Sequence, residues 1–354
     1  MILHTLVLAL SAHGGEVTVD MLDVGQGDAI LIRTEGHAAL IDAGPRDANT
    51  EEQLRALGIE ALDLVIATHP HADHIGRMPQ VLLDFDVGVY LDNGMTHTTK
   101  NYEKLMAAVD SSEVDHRTAL RGMAFPFGDE ATLTVLFPGE ALLSRTRSDL
   151  NSNSVVVRLD HGDSSFLFTG DAEQPTEDAL LALDVGQVDI LKVAHHGSGH
   201  SSSRAFLAEL KPSAALISCG EGNRYHHPYD EALDRLRKNG ALVYRTDLSG
   251  NIRAVSDGVG IEILEGTIEE LDSVKIVPWP EDSAVAIVEP VPDDPDGTDT
   301  PPASAGDKRS KRKDFIARIR EARPHADRAT IRAEWRTYKK DWRLSMKAER
   351  KSAE

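Results

Sequence analysis

Cysteine is almost absent: Cys219 stands alone among 354 residues. No internal disulfide can form, so packing and any bound metal must hold the fold, and the redox compartment is left open. No apolar run approaches the roughly 18 residues that would suggest a membrane-spanning helix. Residues 1–15 read as a signal-like or unstructured start. Ile2–Leu10 is apolar apart from His4 and Thr5, and Ser11-Ala12 is small enough for a cleavage site. The basic stretch that precedes a signal core is lacking, so export and a cytoplasmic location stand level. Basic residues are also missing from the segment 279–307, where Glu281–Asp307 carries eight acidic residues and many prolines. Such a segment cannot bury enough apolar surface to order itself, and reads as a disordered, self-repelling linker.

A hydrophobic fraction of 41% over this length is enough for one large α/β domain, read here as residues 16–278. The net charge of -20 conceals an asymmetry. Residues 308–354 hold 17 Lys/Arg against 7 Asp/Glu, net +10, which leaves 21 against 51, net -30, for the rest. The acidic body repels a polyanion, so a nucleic-acid substrate must be attracted locally, by metals or by the basic end. That end has Phe315, Ile316, Ile319, Ile331, Trp335 and Trp342 at roughly helical spacing. It reads as a charged helical tail, either merely solvated or a binding segment for nucleic acid or protein.

Between Val17 and Leu264 short β-rich runs alternate with helical patterns. Val17–Leu22, Ala29–Ile32 and Ala38–Ile41 are expected as consecutive strands. Thr50 with Gln53 has the pattern of a capping box and predicts a helix through Leu57. Leu62–Ala67 is apolar apart from Asp63, as suits a strand buried on both faces. Further strands are expected near Val87, Ala131, Ser154, Ser165, Val188, Ala214, Leu242 and Ile252, with helices around Lys100–Val109, Thr176–Leu183, Ser203–Leu210 and Tyr229–Asn239.

Directly after the apolar strand comes His69-Pro70-His71-Ala72-Asp73-His74. In extended chain, residues two apart point to the same side, so His69 and His71 can reach one cation. Asp73 and His74, at the turn into a helix, can face a second. Two cations can hold a hydroxide between them as the nucleophile of a hydrolysis. More ligands should come from other strand ends. Phe166–Thr169 runs into Gly170-Asp171, where glycine permits the turn that presents a carboxylate able to bridge the two. Val188–Ala194 delivers His195-His196 to the same rim. The plainer alternatives are a turn aspartate and a loop histidine.

These residues resemble the metallo-β-lactamase superfamily, and within it the hydrolase-like domains of the ComEC competence proteins. The carrying motifs are Leu22–Ala29, Leu40–Gly44, His69–Gly76, Asn151–Ser154, Thr169–Asp171, Ala194–Ser198, His227-Pro228 and Tyr244–Asp247. The resemblance implies an αβ/βα four-layer sandwich with the metals at one edge. It assigns His69 and His71 to the first metal, Asp73, His74 and His195 to the second, and Asp171 to the bridge. A third histidine usual at the first metal is replaced by Asn151-Ser152-Asn153. An amide oxygen is a poorer zinc ligand than imidazole and suits a harder ion better, so manganese stands beside zinc.

His196 and His227 are left for substrate or proton transfer, His227 resembling the family's substrate-side histidine. With Asp73 it makes the catalytic pair, a rim histidine being able to aid the leaving oxygen. Asn151, Asn153, His196 and Ser198 form the expected substrate-binding set. Ser198 and Ser201–Ser203 lie at a helix start, where free N–H groups suit a phosphate oxygen or simple capping. The resemblance implies a phosphodiesterase or nuclease acting on DNA. A hydrolase of small phosphodiesters or other esters, and a metal-stabilised binding module, are the alternatives.

Overall fold

The computed structural model describes residues 15–128 and 131–272. The signal-like start, the linker and the basic tail lie outside the described residues. Six strands open the chain: β1 (Val17–Met21), β2 (Ile30–Thr34), β3 (His37–Ile41), β4 (Ala61–Ile66), β5 (Asp86–Asp92) and β6 (Asp115–Thr118). Seven more follow: β7 (Ala124–Pro126), β8 (Ala131–Phe137), β9 (Val156–His161), β10 (Ser164–Phe168), β11 (Ile190–Lys192), β12 (Ala214–Ile217) and β13 (Leu242–Arg245). β14 (Asn251–Ser256) and β15 (Ile261–Gly266) then return to the first sheet, whose order is β15-β14-β1-β2-β3-β4-β5-β6. The second sheet runs β13-β12-β11-β10-β9-β8-β7.

Each sheet is antiparallel on one side and parallel on the other. β3 to β6 run parallel, as do β10 to β13. The sheets face each other across a shared core in which Val19, Met21, Ile66 and Leu91 meet Leu133, Val157 and Phe166. On the outer face of the first sheet, Leu31, Leu40 and Val65 pack with Leu54, Val81 and Leu105 from the helices Thr50–Ala56, Met78–Asp84 and Lys100–Ser112. On the second, Leu167, Leu191 and Ala215 pack with Leu180, Phe206 and Leu236 from Gln174–Leu181, Arg204–Leu210 and Asp230–Lys238. The four layers are those expected. The apolar run at β4 has the expected cause, with Leu64 and Ile66 facing the second sheet and Val65 facing helices.

Local chemistry departs from the sequence reading in places. Asn49, not Thr50, is the cap residue of the first helix. Gln53 Nε2 donates to Asn49 Oδ1 at 2.8 Å and to the Asp23 carbonyl at 2.8 Å, while the Thr50 hydroxyl reaches the Ala43 carbonyl. The side chains that resemble a capping box thus tie the helix to neighbouring loops. β6, β7, β15 and the helix Met78–Asp84 were not anticipated. β6 is a polar edge strand and β7 is three residues ending in proline, so neither shows the alternation that marks a half-buried strand. No helix among the described residues is long and apolar enough to cross a membrane.

Candidate metal centre

The parallel strands of both sheets end at one edge, and their C-terminal ends carry the chemistry, as is general for such sheets. After β4, Thr68 anchors the chain: its N–H and hydroxyl donate to Asp42 Oδ1 at 2.8 Å and Oδ2 at 2.7 Å. His69 and His71 follow, with His69 Nε2 and His71 Nδ1 2.9 Å apart. Asp73 and His74 lie in the short helix Ala72–Ile75. After β10, Gly170 turns with φ +51°, and a Cβ there would sit 2.9 Å from that of Thr68. Only glycine lets the two strand ends approach so closely. The turn brings Asp171 under the histidines.

Asp171 divides the cluster by its two oxygens. Oδ1 lies 3.2 Å from His74 Nε2 and 3.6 Å from His196 Nε2, and His196 Nε2 is 3.6 Å from Asp73 Oδ2. Oδ2 lies 3.8 Å from His69 Nε2 and 3.5 Å from His195 Nε2. The donor atoms of Asp73, His74, Asp171 and His196 all fall within 4.8 Å of one another. His195, expected beside Asp73 and His74, instead faces the other oxygen, with Glu173 Oε1 3.5 Å from its Nδ1. The place expected for it is taken by His196. The cause is the backbone after β11. His195 and His196 both adopt left-handed conformations, at φ +52° and +54°, which turn their side chains to opposite sides of Asp171. Such strain in two adjacent non-glycine residues persists only where surroundings impose it.

The residues present fit divalent cations. His74 Nε2, His196 Nε2 and Asp171 Oδ1 are buried and face one another at 3.2 and 3.6 Å without a well-directed hydrogen bond, and leaving buried polar atoms so poorly satisfied is costly. Their rings are oriented from behind. His74 Nδ1 is 2.7 Å from Asp42 Oδ2, and His196 Nδ1 donates to the Ser218 carbonyl at 2.9 Å. His69 Nδ1 lies 3.1 Å from the Thr68 hydroxyl. Each leaves an Nε2 facing inward, the arrangement that supports metal-ligating imidazoles. Without metal, protons take part of the role. Burial opposes charge on His74 and His196, but Asp171 and Asp42 hold the first well above the usual range, and Asp171 and Asp28 push the second to about 10. Burial and the neighbouring His74 charge hold His69 well below it.

Beneath the cluster lies a buried ion pair that sequence reasoning missed. Lys192 Nζ bonds Asp28 and also donates to the Gly170 carbonyl at 2.9 Å. Burial disfavours the Asp28 carboxylate, but Lys192 and His196 bring its pKa to about 2. The signal was a lysine inside the apolar strand Ile190–Lys192. Asp28 and Asp42 lay within motifs noted above, without a role.

The remaining expected residues divide. Asn151 joins the centre, its Nδ2 3.3 Å from His195 Nδ1. Asn153 turns away: it accepts from Leu143 N at 2.8 Å and donates to the carbonyls of Leu143 and Asp149 at 2.8 and 2.7 Å, holding the preceding loop. Ser198 is buried and accepts from His200 N. The helix-start N–H groups that would suit a phosphate, those of Ser202 and Ser203, already meet the Glu177 carboxylate, and Ser203 caps the helix. His227 stands at the mouth, its ring 5.5 Å from His195 and 6.3 Å from His196. Burial, then the charges of His196 and His195, lower its pKa to about 4.

Comparison with known proteins places this geometry. Residues 22–221 match the metallo-beta-lactamase superfamily domain. The chain is 31% identical over 266 residues to ComE operon protein 3 of Bacillus subtilis, covering 69% of this chain and 33% of that protein. It is 34% identical over 242 residues to recombination protein 2 of Haemophilus influenzae, covering 66% and 28%. Competence protein ComA of Neisseria gonorrhoeae is 31% identical over 243 residues, covering 67% and 32%. The chain thus spans about a third of the length of these relatives.

Proposed function

The chain belongs to the metallo-beta-lactamase superfamily, a metal-dependent hydrolase by fold and site, and from that premise we propose that it hydrolyses phosphodiester bonds of nucleic acid. One cation would be held by Asp73, His74, Asp171 and His196, and a second by His69, His71, Asp171 and His195. Bound zinc or manganese supplies Lewis acidity there, polarising a phosphoryl oxygen and lowering the pKa of water to about 7.

The chain's own groups do the rest. Asp42 and the Ser218 carbonyl hold two imidazoles in the required orientation. Asp73, with a side chain 31% exposed, is the carboxylate of the cluster open to solvent, and can accept a hydrogen bond from an incoming water. His227, at the mouth beside His195 and His196, can offer an N–H to the leaving oxygen. Asn151 steadies His195.

The observation that carries hydrolysis is the convergence of ligand atoms of Asp73, His74, Asp171 and His196, three of them buried and in no well-directed hydrogen bond, at the parallel strand ends. Nucleic acid as substrate is supported by relatives named for competence and recombination. The net -30 of residues 1–307 favours a second reading, a small uncharged-bodied phosphodiester. The test is metal-loaded protein against single-stranded DNA, duplex DNA and a bis-aryl phosphodiester, with Asp171→Ala as control. DNA cleavage that Asp171→Ala abolishes is expected. Cleavage of the small ester alone would establish the second reading, and inactivity on all three would overturn both.

A further inference from the structure

Between β12 and the helix Asp230–Lys238, a loop brings three aromatic rings to the rim of the metal centre. His227 lies nearly parallel to His196, at 28° and 6.3 Å. Tyr225 continues the series, at 26° and 5.8 Å from His227. Tyr229 closes its flank edge-on, 5.3 Å from His227. Rings thus step outward from a cluster histidine to solvent.

The outer steps are open. Tyr225 is 43% and Tyr229 40% exposed, the two aromatics among the exposed large apolar side chains of the described residues. Single exposed apolar groups need no explanation, but two tyrosines flanking His227 at the mouth of a polar centre do. Arg224 adds a cation, its guanidinium 4.8 Å from the centroid of the Tyr225 ring and bonded to its hydroxyl. Arg224 also lies close enough to Asp73 to feel its charge. The loop is held ready: Asn223 Oδ1 accepts from Tyr225 N at 3.2 Å and His227 N at 3.0 Å, while its Nδ2 donates to the carbonyls of Gly220 and His227 at 2.9 and 2.6 Å.

We propose that Arg224, Tyr225 and Tyr229 form a stacking shelf that takes a nucleobase of a single strand adjoining the cleaved phosphodiester, with Arg224 facing a neighbouring phosphate; this rests on the phosphodiester reading above. Exposed tyrosine rings together with a guanidinium plane are the chemistry that holds unpaired bases, because every base offers a π-face and every nucleotide a phosphate. Stacking also answers the difficulty of an acidic body, since it draws on surface contact rather than on net charge. In duplex DNA the base faces are already stacked, so the shelf selects single strands or free ends.

The test compares binding of a fluorescein-labelled oligothymidylate with that of an abasic oligomer of the same length, by fluorescence anisotropy. The two carry the same phosphates, so attraction to the basic tail cancels. The full chain should bind the thymidylate about tenfold more tightly, the lower range of what one stacked base contributes. Tyr225→Ala and Tyr229→Ala should each shrink that preference, and Tyr225→Phe should keep it. Equal binding of both oligomers by the unaltered chain, or an undiminished preference in both alanine variants, would overturn the shelf. Base preference without hydrolysis of any phosphodiester would sink the proposed activity and leave the shelf standing; hydrolysis without base preference would do the reverse.

Discussion

Two buried charged clusters lie along the first sheet, and they are closed by different cations. Where β1, β2 and β14 meet, Asp20 receives Arg33 Nη2 at 2.6 Å on one oxygen and Arg253 Nε on the other, and Arg253 also reaches the Leu271 carbonyl. At the strand-end edge, Asp28, Asp42, Asp73 and Asp171 meet histidines and one lysine. Arginine cannot give up its proton in a protein, so the first cluster is permanent. Histidine can, so the second is exchangeable, with protons standing where metal ions would bind. Asp73 apart, the carboxylates of both are buried; the acidity of the cationic partner separates a structural cluster from a functional one.

The sharpest way to break this contrast is to neutralise one carboxylate in each cluster. Asp20→Asn should cost about 3–5 kcal/mol in denaturant unfolding, with or without chelator, because it leaves two arginines unpaired in the interior. Asp171→Asn should cost far less in chelator, since His74 and His196 can shed protons, yet it should abolish metal uptake by mass spectrometry. Equal losses of stability in chelator would refute the distinction.

The exchange of protons for metal can be measured directly. The carboxylates around His74 and His196 favour their protonated forms in the metal-free chain, His196 up to about 10, so metal binding at neutral pH should release protons. Affinity should therefore rise with pH, and calorimetric heats should differ between buffers of different ionisation heat. Identical heats would mean that these imidazoles are already neutral.

Lys192→Met should weaken metal binding by about 10–100-fold, the usual effect of removing a group that orients ligands. It frees Asp28 to swing toward His74, 3.7 Å away, and loosens the Gly170 turn that presents Asp171. An unchanged metal titration would make the lysine purely structural.

Asn153→His tests the missing histidine. Because the Asn153 amide is committed to Leu143 and Asp149, the change should leave zinc affinity unaltered and lower stability by about 1–3 kcal/mol. A gain in zinc affinity would show that the loop can rearrange and that the position is still a ligand site.

The smallest effect lies away from both clusters. His116 Nε2 sits 2.9 Å from Asp92 Oδ2, and that hydrogen bond raises its pKa above 6.5. Its contribution is present below the unfolded value and lost as pH rises through the raised folded value. As His116 is a third exposed, His116→Gln should cost about 0.2–1 kcal/mol at low pH and nothing at high pH. A pH-independent cost would point to packing.

The sandwich was legible because each sheet's core strands, such as β4 and β10, announce themselves as apolar runs ending in Gly, Asp or His. β6 was not, since its residues Asp115–Thr118 are held by β5 pairing rather than by an apolar face. Most ligand types were legible for a similar reason: three histidines and an aspartate in six residues have few structural uses. The roles of His195 and His196 were not. Neighbours in sequence, they are parted by two left-handed backbone angles that no residue type announces.

What the chain's order of residues determined by itself was thus local: strand and helix periodicity, the glycine that lets Asp171 turn, and donors clustered at strand ends. What only the tertiary structure decided was partnership across distance. Arg253 finds Asp20 from 233 positions away, and the Ser218 hydroxyl finds the Gly27 carbonyl from 191. The first pairing is set by the β1–β14 register within one sheet, and the second by how the two twisted sheets stack, which the whole core sets at once. The same stacking carries Lys192 beneath Asp28 and lifts Tyr225 to the rim, so a lysine in an apolar strand and a tyrosine in a polar loop acquire meaning only when the layers close.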